Sequence, residues 1–76
     1  MSNQEIIATL RQRIKDHGLD LEVAADPVVG VFFEIKDPST KDRCRTQTGA
    51  AAIFPFNLMG AMLASEVIGA YAALRS

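Results

Sequence analysis

The chain is 76 residues long, with 8 Lys or Arg against 9 Asp or Glu, one His and one Cys. A single domain over residues 1–76 is expected, near the lower limit for a self-sufficient core, since a chain this short buries only roughly 60% of its unfolded surface. One Cys excludes an internal disulfide, one Cys with one His argues against an autonomous zinc site, and a net charge of −1 offers no general field for nucleic acid or acidic lipid. Oligomerisation is the remaining staple for so small a core.

Ser2 stands where an N-cap is needed and Glu5 follows three residues later, a capping box, with Met1 and Ile6 at the two staple positions. Ile6, Leu10 and Ile14 recur every fourth residue and Ile7 widens their stripe, which predicts a helix over 3–17. Gly18 supplies the left-handed residue of a Schellman ending, with Leu19 placed to close on Ile14. His17 ends the helix, where a partly positive ring complements the dipole.

Past Gly18 the period shortens to two. Leu19, Leu21 and Val23 alternate with Asp20 and Glu22, predicting a strand over 19–25 that Asp26-Pro27 interrupts as turn chemistry. VVGVFFEIK, residues 28–36, is β-branched and aromatic with apolar side chains on both faces, and predicts a central strand. A loop follows over 37–42. RCRTQT, residues 43–48, alternates again and reads as a polar edge strand guarded by its arginines. Residues 49–56 are ambiguous, because three alanines favour a helical turn while Pro55 resists one. A break at residues 54–56 and Asn57 as N-cap predict a last helix over 57–74.

The order α-β-β-β-α predicts a small α+β domain. Its sheet is a three-stranded antiparallel meander with the N- and C-terminal helices packed on one face. Double-stranded RNA-binding domains share this order of elements. Their last helix opens on a lysine-rich phosphate-binding segment, whereas residues 49–59 hold no basic side chain, so the similarity stops at topology.

The last helix is apolar nearly all round, with Glu66 as the one acidic side chain between Pro55 and Arg75. Ala61, Ser65, Gly69 and Ala73 recur every fourth residue and form a ridge over which another backbone can approach closely. Such a helix must be covered on nearly all sides. The chain is therefore expected to be a small, non-enzymatic protein-binding or assembly module that self-associates through this ridge. A homo-oligomer is expected, with a dimer favoured, alone or with a larger protein partner. At the level of class, a virus-encoded inhibitor or a minor subunit of a larger assembly fits that description.

No cofactor, metal or catalytic residue is expected. Cys44 has no base fixed beside it and reads as a small buried hydrophobe, and one carboxylate at Glu66 makes no acid–base pair. Two alternatives stand beside this reading. Lys36, Lys41, Arg43 and Arg45 gather around one hairpin and form a candidate anion-binding or nucleic-acid-binding set, diluted by Asp37 and Asp42. Residues 50–74 are long enough to cross a bilayer, but Pro55, Asn57, Ser65 and a central Glu66 stand against that. Free-thiol usage and a polar N-terminus lead to the expectation of a cytoplasmic protein.

Overall fold

The computed structural model describes residues 2–26, 28–39, 42–44, 46 and 48–75, the side chains of Asp42, Arg43 and Arg75 excepted. Helix α1 spans Asn3–Asp16, strands β1 to β4 span Glu22–Ala24, Phe32–Asp37, Asp42–Arg43 and Ile53–Pro55, and helix α2 spans Leu58–Arg75. The order is helix, antiparallel meander, helix, as the sequence predicts.

Both ends of α1 follow from its sequence. The Ser2 hydroxyl accepts the Glu5 N–H at 3.1 Å, and donates in turn to the Glu5 carboxylate at 3.3 Å. One orphan donor of the first turn is thereby satisfied. The expected contact of Met1 with Ile6 lies outside the described residues. At the other end Gly18 adopts φ +66°, and its N–H reaches the Lys15 carbonyl while Leu19 N–H reaches that of Ile14, at 3.0 and 3.1 Å. These are the two hydrogen bonds of a Schellman ending, with His17 as C-cap. Ile6, Ile7, Leu10 and Ile14 are the buried stripe.

Strand β2 is the middle of the sheet. Glu34 pairs with Ala24 of β1 and with Ile53 of β4, so β1 and β4 lie on opposite edges of β2. Lys36 pairs with Glu22 of β1 and with Arg43 of β3, which places β3 on the same edge as β4. The third strand of the meander is thus one line of pairing in two pieces. Between the pieces, Ile35 donates its N–H to the Ala52 carbonyl and accepts from Cys44, while Ala52 N–H closes on the Cys44 carbonyl at 2.9 Å. Beyond that neck, Thr46 N–H donates to the Ala50 carbonyl and Gly49 N–H to the Thr46 carbonyl, both at 2.9 Å, in a turn.

Three expected strands are corrected in their bounds. Leu19 and Leu21 pack partly buried against the core, but only Glu22–Ala24 joins the sheet. The strand expected from residue 28 begins at Phe32. One Asp26 carboxylate oxygen accepts both the Val28 and Val29 N–H groups, at 2.9 and 3.2 Å, and its carbonyl accepts that of Gly30. A side chain that satisfies two backbone donors in this way stabilises a turn against the β-propensity of the valines. Of the edge strand expected over 43–48, residues 45 and 47 lie outside the described residues, and the pieces that pair with β2 are Asp42–Arg43 and Ile53–Pro55. Pro55 fits there because an edge position asks no hydrogen bond of it.

Phe33 and Ile35 are fully buried on the helix side of β2, with Val23, Cys44, Ala52 and Phe54 beside them. The Phe33 ring lies 5.9 Å from that of Phe54 and 5.0 Å from that of Phe56, both tilted, an arrangement aromatic pairs favour. Phe32, Glu34 and Lys36 alternate onto the opposite face of the strand. There Glu34 and Lys36 form an ion pair at 3.6 Å.

Candidate functional site

Helix α2 starts at a well-made cap. The Asn57 side-chain oxygen accepts the Gly60 N–H at 2.8 Å, and the Asn57 carbonyl accepts that of Ala61 at 3.0 Å. From there the helix buries Gly60, Ala64, Val67 and Ile68 against the sheet and α1, with Tyr71 half-buried beyond them. Two of its first inward residues are therefore the smallest available, so the helix comes very close to the sheet. Its large side chains point the other way. Leu58, Met59, Met62 and Leu63 are 69, 63, 57 and 40% exposed.

An ordinary surface helix buries its large apolar residues and presents polar ones to water. The first half of α2 inverts that pattern. Positions i, i+1, i+4 and i+5 make one continuous stripe on a helix. Methionine in such a stripe is unbranched and adapts to irregular partners. Glu66 is exposed one turn further on.

The stripe has two neighbours. Against its Leu63 side lies a cleft of about 320 Å³, walled by Ala50, Phe54, Leu63 and Val67 with Thr46, Thr48 and Glu66. At the start of α2, the Phe56 N–H donates to the Val31 carbonyl at 3.0 Å, which brings the turn before β2 alongside. That turn carries Val28, Val29 and Val31, each more than 65% exposed. It is tied down from the far side by Asn3, whose amide donates to the Gly30 carbonyl at 3.2 Å.

The small-residue ridge sits elsewhere. Ala61, Ser65 and Gly69 are half-buried and Ala73 is exposed. A Cβ at Gly69 would lie 3.5 Å from the Arg13 guanidinium, and Ser65 lines a groove with Thr9, Gln12 and Arg13. The middle of the ridge thus faces α1 of the same chain, with the Arg13 guanidinium beside Gly69 and a groove beside Ser65. The large side chains two positions away carry the stronger apolar signal. Their spacing was readable in the sequence, but which side of the helix they occupy is decided by where Gly60 and Ala64 pack.

Of the candidate anion-binding set, Lys36 is engaged by Glu34. Lys41, Arg45 and the Arg43 side chain lie outside what the structure describes. Cys44 is 1% exposed, and burial pushes its thiol up from the usual 9.0, against a Tyr71 hydrogen bond that lowers it and with the Asp37 charge raising it further. A protonated, covered thiol is a poor nucleophile. Among the described residues no group of His, Cys, Asp and Glu is placed to hold a metal ion. No helix among them is long and apolar enough to cross a membrane, and much of the 50–57 segment expected to lengthen such a span is strand β4 and its approaches.

Fold and surface together define a small α+β domain with an apolar stripe on its outer helical face. Compared with protein-family models, with curated proteins and with solved structures, the chain matches none.

Proposed function

We propose that this chain is a small protein-binding module, without catalytic chemistry of its own, that acts in assembly through the outer face of α2. The supporting observation is the inversion at the start of that helix, where Gly60 and Ala64 are buried and Leu58, Met59, Met62 and Leu63 are exposed. Soluble monomers tolerate scattered apolar residues, but a continuous stripe marks a surface that is covered in use. Met and aromatic residues are also enriched at protein interfaces, while Lys and Glu are depleted.

Capture from the native source, with wild type and Met59→Glu/Met62→Glu run side by side, tests this reading. Both substitutions fall on exposed helical positions and use a good helix former, so the fold is expected to stand. The double variant is expected to lose the proteins, or the further copies of this chain, that the wild type retains. Equal capture by both would remove the outer face of α2 from consideration.

A further inference from the structure

We infer that the occupant of this surface is a second copy of the same chain, docked isologously over the α2 stripe and the adjoining 28–31 turn. The inference rests on the proposed binding role and names its partner. The first support is continuity. The Phe56 N–H to Val31 carbonyl bond sets the exposed 28–31 turn beside the start of α2, so the turn and the stripe offer one face to a partner.

The second support is the match between the patch and what a stable dimer needs. Val28, Val29, Val31, Leu58, Met59, Met62 and Leu63 together leave the equivalent of roughly four and a half side chains in water. At roughly 60–120 Å² of apolar surface per aliphatic side chain, that is roughly 300–500 Å². One partner in a standard interface contributes about 800 Å², of which roughly two-thirds is apolar in homodimers. The patch therefore supplies more than half of the apolar part of one such interface.

The third support is charge. Segments 28–31 and 58–63 contain no ionisable residue, so two copies meet there without opposing like charges. The nearest flanking charges in sequence are Asp26 and Glu66, both acidic and both exposed. Neither segment offers a cation to an anionic lipid surface or a nucleic acid. A two-fold contact, in which the same patch is used twice, is the commonest closed arrangement.

The experiment is sedimentation equilibrium on the wild-type chain from low micromolar to near-millimolar concentration, beside Met59→Glu/Met62→Glu and the exposed control Ala73→Glu. The wild type is expected to reach twice 8.2 kDa. The double variant should remain at single mass, its dimer weakened at least about 100-fold, and the control should dimerise as the wild type does. Dilution of the isotopically labelled wild type gives a readout free of mutation: amide shifts should move together in 28–31 and 58–63. A wild type of single mass throughout would overturn the inference, as would a dimer whose shifts lie elsewhere or which survives both substitutions. If that monomer still captures a protein that the double variant loses, the binding role stands and only the second copy falls.

Discussion

The Pro55 carbonyl occupies the place where a Cβ on Gly60 would be. The contact joins the last residue of β4 to the first turn of α2, and it sets how sharply the chain leaves the sheet. Gly60→Ala must therefore shift the helix or the strand. A methyl group forced into a filled site typically costs about 1–3 kcal/mol, against at most about 1 kcal/mol gained from replacing glycine in a helix. A net loss of stability is expected in urea denaturation. An unchanged midpoint would mean that α2 leaves the sheet at another angle.

Gly69 lies in the same helix and should respond with the opposite sign. The nearest atom to its missing Cβ is the end of the Arg13 side chain at 3.5 Å, an ordinary contact with a flexible group. Gly69→Ala is expected to stabilise by about 0.5–1 kcal/mol, because interior glycine costs a helix that much entropy. A loss there would place α1 closer to α2 than the Arg13 contact implies.

The ending of α1 separates backbone strain from packing. Nothing lies within 4 Å of the missing Gly18 Cβ, yet φ is +66°. L-alanine at 18 is expected to cost about 1 kcal/mol through conformation alone. D-alanine, introduced by chemical synthesis, prefers that region and should match or exceed glycine. If the two alanines give the same melting temperature, the left-handed ending is not a feature of the folded chain.

These local devices were legible because each is written within a few residues: Ser2 with Glu5, Gly18 after His17, and Asn57 three places before Gly60. The third strand was not. Residues 43–48 and 53–55 are both short segments with acceptable strand character, and which of them pairs with β2 depends on a register that only the folded sheet fixes. Asp26 also misled the reading of 28–31, since its side chain takes donors that the valines would otherwise offer to a strand. The period-four ridge was visible, but small residues mark close approach without naming the partner. Its middle faces the Arg13 side of α1, and the candidate binding surface is the stripe of large side chains beside it.

Asp26 predicts a dependence on acid. The Val28 N–H, then that of Val29, hydrogen-bond to its ionised form and hold its carboxyl below the usual 3.8, with slight opposition from desolvation. A depressed folded value means that the stabilisation is present above 3.8 and is lost as pH falls through that lower value. Asp26→Asn keeps an acceptor oxygen but does not titrate. The stability gap between wild type and variant, from urea denaturation, should narrow as pH falls below 3.8. A gap that stays constant would remove the carboxylate from the turn.

Cys44 carries the converse prediction. It lies buried at the sheet neck, where its backbone N–H donates to the Ile35 carbonyl at 2.8 Å and its carbonyl accepts from Ala52 at 2.9 Å. Burial raises the thiol above 9.0, more than the Tyr71 hydrogen bond lowers it. With the folded value raised, the protonated thiol contributes stability below 9.0, and that contribution is lost as pH rises through the folded value. Two measurements check this. A thiol-specific reagent at mildly alkaline pH should label the folded chain far more slowly than the urea-unfolded chain, because the residue is buried and its thiol held protonated. Cys44→Ala should lower stability at neutral pH by about 1 kcal/mol through lost packing. It should also flatten the alkaline decline relative to wild type. Rapid labelling of the folded chain would mean that the neck between Cys44 and Ala52 opens readily, and the two-piece third strand would then be the least stable part of the sheet.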